Sequence, residues 1–344
     1  MMAHVLMFVA RELTVRFSWF EFFMGTHLNP RMFRGRLDLK FFAEIRVSWM
    51  MLFFLTLSCG LAERSARTAA GMLSPSLVPW MSNGPLVLVL AHLLYANACF
   101  KGEECIPTTW DIFHEKFGWM LAFWNVSGVP FVYAMNSYYL LKLRATEPDL
   151  PREAAAALLA ILLCAYFVWD SSQSQKNKFR MREQHDALVR IMHALPPGST
   201  HRAEAEKRVA SMAYLLKGRP LAFPRLPGSV LGAKAAVLRE EESLTEPARQ
   251  PKTLLIGGWW KYARKVHYTA DIVMAWIWAL CCVGSVPKDV DVWVRFVPFF
   301  YPMFFLAMIL HRERRDYARC SEKYGALWDR YVATVPYAFL PGVV

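Results

Sequence analysis

An all-α, polytopic membrane helix bundle of about six spans, with one long cytoplasmic insertion, is the fold this sequence predicts, and three observations predict it. Of its 344 residues 55% are hydrophobic and 15% aromatic against only 20% charged, a balance that soluble domains rarely show. The apolar residues also run in long windows instead of recurring at helical or strand period, as lipid-facing helices require. Finally, 40 Lys and Arg against 28 Asp and Glu give a formal charge of +12. Those cations fall between the apolar windows, the pattern of positive cytoplasmic loops, so no nucleic-acid partner is expected. The 7 cysteines are odd in number and show no C-x-x-C spacing, so neither a disulfide framework nor a metal site is predicted.

Residues 1–23 start apolar but are broken by Arg11, Glu12 and Arg16 and lack a small-residue cleavage site. They read as an interfacial or partly buried helix, not as a signal peptide or a span. The first span is predicted at 47–61, behind the basic run Arg31, Arg34, Arg36, Lys40 and Arg46, which places segment 1–46 in the cytoplasm or at its interface. A loop rich in Ser, Gly and Pro, 62–84, leads to a second span at 85–100. The third begins within block 110–133 and reaches about 141. Asp111, Glu115, Asn125, Tyr133, Asn136 and Tyr138 are each costly against lipid and are expected to face the protein interior. They serve there either in interhelical hydrogen bonds or, with neighbouring aromatics, as the wall of a ligand pocket. Gly128 and Pro130 predict a kink.

The fourth span, 154–169, runs into a polar stretch where Lys176 and Arg180 stand four apart on one helical face. Such a pair suits solvent, a lipid headgroup or a phosphate. Segment 181–251, rich in charge, Ala and Pro with one helical stretch at 203–216, reads as a cytoplasmic insertion without chemistry of its own. Spans at 270–286 and 292–310 form a hairpin through 287–291 and bring both termini to the cytoplasm. In the polar tail, Arg312, Asp316 and Cys320 recur every four residues and share a helix face. No G-x-G-x-x-G or P-loop occurs, so a nucleotide here would not use a Rossmann site.

The stretch 254–278 joins a polar, basic and aromatic segment to an apolar helix. Trp259 and Trp260 suit the bilayer interface, Arg264, Lys265 and His267 suit anionic groups, and Asp271 lies at the mouth of the helix. Taken by itself this is an aromatic belt with basic flanks. However, Gly257, Gly258, Trp259, Trp260, Ala263, Arg264, Lys265, His267, Tyr268, Thr269 and Asp271 together resemble the signature of the sterol reductase family. That family includes the C-14, C-7 and C-24(28) sterol reductases and the lamin B receptor. Four further pieces match in order: Asn29-Pro30 with Asp38, Lys40, Phe42, Glu44 and Arg46; block 110–133; Ser174 to Arg180; and the tail 311–336. The wording of block 110–133 and the long insertion point to the C-24(28) branch, which completes ergosterol-type side chains.

The resemblance implies a multi-span bundle in the endoplasmic reticulum membrane, with a sterol pocket in 47–180 and NADPH held in a polar cavity of 252–344. It implies contact of Lys176 and Arg180 with the adenosine phosphates, of Leu255 and Trp260 with the cofactor's flanks, and of His267 and Tyr268 with the cofactor. Arg312, Asp316, the run Cys320, Ser321, Glu322, Lys323 and Tyr324, and Tyr331 complete that site. Two positions depart from the pattern, Gly257 where Ser or Asp is frequent and His267 where C-14 reductases carry Asn. Typical members also have one or more additional N-terminal helices. An alkene without an electron-withdrawing group must be protonated before NADPH can deliver hydride, so an acid and aromatic faces are needed. The acid candidates are Asp111, Glu115 and Tyr133, and the substrate-pocket candidates Trp110, Trp119, Trp124 and Asn125. The function implied is NADPH-dependent reduction of a sterol C24(28) double bond. The alternatives are a C-14 or C-7 reductase, a membrane methyltransferase of the isoprenylcysteine type using S-adenosylmethionine, and a non-catalytic sterol-binding scaffold.

Overall fold

Asp38 begins the first long helix, because its Oδ1 accepts the Phe41 amide at 3.0 Å and fills the place of a missing intrahelical partner. The computed structural model describes residues 18–72, 81–101, 115–143, 149–218, 236–240, 252–285 and 290–343. Ahead of that helix lie α1 (Trp19–Met24) and a hairpin of β1 (Arg31–Met32) and β2 (Leu37–Asp38). α2 (Leu39–Ala69), α3 (Asn83–Lys101), α4 (119–143) and α5 (Arg152–Ala194) follow. Next come α6 (Thr200–Gly218) and a second hairpin of β3 (Val237–Arg239) and β4 (Thr253–Leu255). α7 (Val266–Val283), α8 (Val292–Tyr324) and α9 (Ala326–Thr334) close the chain.

Among the described residues, 5 helices are long and apolar enough to cross a membrane, namely α2, α3, α5, α7 and α8. They coincide with five of the predicted spans and extend most of them, since helical hydrogen bonding continues past the apolar window into polar flanks. α5 is the extreme case. Its 43 residues rise roughly 65 Å, about twice a bilayer core, so its second half continues as a polar helix. The remaining predicted span, α4, is continuous through 119–143 but carries Asn125, Asn136, Ser137 and several tyrosines, which lower its hydropathy. The expected hairpin 287–291 falls largely outside the described residues.

The chain divides into two compact units, residues 1–162 with 275–303 and residues 163–274 with 304–344. In the first, α2 packs against α3 and α4 along a stripe of polar residues at helical spacing. Ser48 Oγ lies 2.9 Å from the Asn125 carbonyl and 3.0 Å from Asn125 Oδ1. It does so where a π turn in α2 (Ala43–Ser48) meets a π turn in α4 (Trp124–Gly128). A π turn leaves backbone groups short of helical partners, and in an apolar setting a nearby hydroxyl satisfies them. Two turns further on, Thr56 Oγ1 accepts from Ser137 Oγ at 3.1 Å and lies 2.5 Å from His92 Nδ1. Glu63 then accepts from Ser82 and pairs with Arg67.

Where a kink is expected, around Gly128 and Pro130, the helix carries that π turn, and a Cβ on Gly128 would fall on the Trp124 indole. One expectation for this helix is corrected. Asn125, Tyr133 and Asn136 are buried, but Tyr138 is 55% exposed with the Lys142 ammonium over its ring. A helical period that buries Tyr133, Asn136 and Ser137 turns position 138 outward, and a phenol tolerates the bilayer interface where an amide does not.

In the second unit, α5 docks segment 252–271 along one face. The Trp169 side chain hydrogen-bonds the Asp271 carboxylate, Ser172 O accepts the Trp260 indole N–H at 3.2 Å, and Glu183 accepts Thr253 Oγ1 at 2.7 Å. β4 contributes to the core of this unit. By strand alternation Leu254 and Ile256 pack on the cluster of Trp328, Tyr331 and Val335, while Leu255 is buried on the other side. Its partner strand β3 lies inside the segment read as an insertion, and Leu238 of β3 packs on the same C-terminal cluster. That segment therefore contributes to the core of the second unit.

Candidate functional site

The segment between β4 and α7 is held from two sides. The Gln175 side-chain amide spans the tight turn, donating to Gly257 O at 3.2 Å and accepting the Trp259 amide at 3.0 Å. Gly258 between them has φ +63, and a Cβ there would fall on that amide. Gly258→Ala is thus expected to displace Gln175 and strain the backbone, at a cost of about 1–3 kcal/mol. A melting temperature equal to wild type in detergent would contradict this. From the other side, Arg264 donates to Val335 O at 2.8 Å and Pro336 O at 2.6 Å, and the Arg264 and Lys265 amides donate to Tyr337 O and Ala338 O. Arg264, read from sequence as facing anions, is spent on fixing the C-terminal segment.

This clamping sets an aromatic row and a charged row beside one another. Trp260, buried, lies 5.3 Å from the His267 ring, which lies 4.2 Å from Tyr268. The Lys176 ammonium stands 4.6 Å from the Trp260 ring centroid, at cation–π distance. Lys265 Nζ meets Asp316 Oδ2 at 2.9 Å, and Tyr268 donates to the same oxygen at 3.4 Å. Lys176, Arg180, Lys265 and Arg312 all act electrostatically on His267. These four outnumber the two carboxyl groups in the same surroundings, Asp316 and Asp271, and that surplus of basic groups suits a polyanionic ligand. His267 Nδ1 is buried and has no hydrogen-bond partner among the described residues, which is unusual for a buried polar atom unless a ligand or water completes it. The donor set, the aromatic faces and this orphaned nitrogen fit a phosphorylated dinucleotide.

Most of the implied cofactor residues gather here. Cys320 acts on Lys176 from α8, and Tyr324 and Cys320 flank the Trp328, Tyr331 and Val335 cluster. Ser321 is partly buried, whereas Glu322 and Lys323 are exposed, and the Lys323 carbonyl accepts the Lys252 ammonium. Tyr331 is buried in the cluster, and burial pushes its phenol up, so it remains a neutral hydrogen-bond donor. Lys265, expected from sequence to suit anionic groups beside His267, is paired to Asp316, while Gln175, which sequence alone did not single out, shows its place only through a contact 82 residues distant.

In the first unit, Asp111 and Trp110 fall outside the described residues. Glu115 precedes α4, and its backbone carbonyl accepts Lys40 Nζ at 2.6 Å. Tyr133 is buried 4.6 Å from Tyr301 and 5.7 Å from Trp49. Trp124 and Asn125 form the π turn, with Asn125 Nδ2 buried and unpartnered among the described residues. Trp119 is 46% exposed and stacks on Phe123, Phe22 and Phe23, so it stands at the surface of this unit and not beside Tyr133.

The chain matches the ergosterol biosynthesis ERG4/ERG24 family over residues 15–344. It belongs to that family. It is 37% identical over 325 residues to a Delta(24(24(1)))-sterol reductase of Gibberella zeae, covering 94% of this chain and 44% of the relative. It is 36% identical over 322 residues to the Delta(24(24(1)))-sterol reductase erg4A of Aspergillus fumigatus, covering 94% and 56%. A Delta(14)-sterol reductase of Mus musculus, TM7SF2, is 30% identical over 326 residues, covering 95% and 60%. The chain thus spans about half the length of the relatives it matches.

Proposed function

We propose that the chain is an NADPH-dependent sterol reductase that saturates the C24(28) double bond of an ergosterol-type side chain. Its place is the endoplasmic reticulum membrane, with both termini cytoplasmic, the sterol within 47–180 and NADPH on 252–344 together with Lys176 and Arg180. The observation that carries this reading is the cation-rich aromatic site around Trp260 and His267 in a member of the ERG4/ERG24 family. The relatives named as Delta(24(24(1)))-sterol reductases favour the side-chain double bond over the C-14 one.

Lys176 and Arg180 neutralise the cofactor phosphates. Trp260 and Leu255 would fix the dinucleotide's orientation, and His267 Nδ1, which has no partner among the described residues, would gain one. Lys265 and Tyr268 hold Asp316 as a fixed carboxylate at the edge of the site. Bound there, NADPH supplies hydride. The proton that must reach the alkene first is assigned to Asp111 or Glu115, with Tyr133 as a third donor, and aromatic faces ease the cationic carbon.

Two measurements test the reading. NADPH, and not S-adenosylmethionine, is expected to raise the melting temperature of the purified protein, and NADPH is expected to be consumed with a 24(28)-unsaturated sterol. Stabilisation by S-adenosylmethionine alone would replace the reductase by a methyltransferase. Lys176→Ala and Arg180→Ala are each expected to weaken NADPH by roughly 10- to 100-fold. NADH should be weakened less, because it has no additional phosphate for these two cations to neutralise. Equal losses for both cofactors would remove these residues from that role.

A further inference from the structure

The β1–β2 hairpin and the first turns of α2 border an open surface cavity of about 340 Å³ lined by Arg31, Arg36, Asp38, Phe41, Phe42 and Arg46. We propose that this cavity binds the phosphate headgroup of an anionic membrane lipid.

Three arginines converge on it from separate elements. Arg31 lies on β1, Arg36 just before β2, and Arg46 on α2, one turn beyond Phe42 and two beyond Asp38 on the same face. The single carboxylate is engaged, with Oδ1 of Asp38 capping α2 and Oδ2 at 4.0 Å from Arg31. Arg36 has no side-chain partner among the described residues, and Arg46 stands 4.8 Å from the Phe100 ring centroid. The loop that presents Arg36 holds Phe33 at φ 51 and Arg34 at φ 58, left-handed conformations that bulky side chains adopt only under constraint from their surroundings. Arginine forks match phosphate geometry, and the phenylalanines provide an apolar wall for the glycerol and upper acyl carbons.

The position selects a lipid over a soluble anion. α2 is a membrane-length apolar helix whose Phe54 and Leu55 are exposed, so the cavity lies at its polar end. Lys40 ties that end to the approach of α4, and Trp119 at the start of α4 stacks on Phe22 and Phe23 of α1. In α1, Trp19 is 77% exposed and Phe20 73%, an aromatic fringe of the kind that marks the headgroup level. Basic groups at that level attract anionic lipid.

Calorimetric titration of the full-length chain in neutral detergent with dihexanoyl phosphatidate tests this. Binding is expected in the wild type and at least tenfold weaker in Arg36→Glu and Arg46→Glu, with melting temperature and NADPH binding retained. Arg34→Glu makes the same charge change on the same loop but does not line the cavity, and it should bind nearly as wild type does. A loss in Arg34→Glu equal to that in Arg36→Glu would mean diffuse surface attraction and overturn the site, as would unchanged binding in the two lining variants. Inorganic phosphate or glycerol phosphate binding as tightly as phosphatidate would overturn the lipid assignment. Equal binding of dihexanoyl phosphatidylcholine would show that headgroup charge is not read, and would overturn it too.

Discussion

Trp278→Ala is expected to lower stability by about 3 kcal/mol, seen as a clear drop in melting temperature in detergent. Trp278 is only 1% exposed and is the hub of the first unit's aromatic core. It stacks on Tyr301 at 4.7 Å and 9°, meets His92 edge-on at 4.3 Å, and reaches Tyr95 and Tyr133 at 5.9 and 6.3 Å. Lipid is as apolar as a protein core, so transfer out of water contributes little between membrane helices, and packing carries the association. Removing the indole therefore costs ring contacts on α3, α4 and α8 at once and leaves a void. Trp278→Phe keeps most of the stacking, and the indole N–H it removes has no partner among the described residues, so its cost should stay below about 1 kcal/mol. A Phe variant as damaged as the Ala variant would mean that the N–H has a partner such as water or bound ligand. An unchanged Ala variant would remove Trp278 from the centre of this core.

The spans were legible because hydropathy windows report lipid contact directly. Their ends were not, because a helix continues on hydrogen bonds and caps that hydropathy does not see: α2 starts at Leu39 on the Asp38 cap, eight residues before its apolar window. The π turns at Ser48 and Asn125 left no periodic signal, since each inserts only a residue, and Ser48 alone reads as a neutral small polar side chain. In the candidate site, Lys176, Trp260, His267 and Asp316 could be named from motif resemblance. Their arrangement could not, because it rests on contacts such as Lys265 to Asp316 across 51 residues and Gln175 to Gly257 across 82. β3 was missed for a related reason. A three-residue strand among charged, Ala-rich and Pro-rich neighbours has no pattern of its own, and only pairing with β4 and the apolar contact of Leu238 give it a place.

Glu115→Gln and Asp111→Asn are expected to lower turnover of a 24(28)-unsaturated sterol by about 10²- to 10⁴-fold in the variant that removes the true acid. NADPH affinity should remain within a few fold in both, because the missing proton matters only in the transition state. Each change is nearly isosteric. At position 115 the backbone carbonyl's contact to Lys40 Nζ is left in place by the substitution, and an unchanged melting temperature would show that a fall in rate does not reflect a displaced segment. Tyr133→Phe separates the third candidate. Its ring packs against Tyr301, Trp49 and Trp278, and the Phe variant retains that packing while removing the hydroxyl. A fall in rate with unchanged melting temperature would make Tyr133 the donor; a fall in both would make it a core residue. Single-turnover kinetics with a C-14-unsaturated sterol as the second substrate tests the double bond at the same time. The wild type is expected to reduce the 24(28) substrate and leave the C-14 substrate largely untouched. Full activity in all three variants would place the acid elsewhere in the chain, and reduction of the C-14 substrate alone would overturn the side-chain assignment.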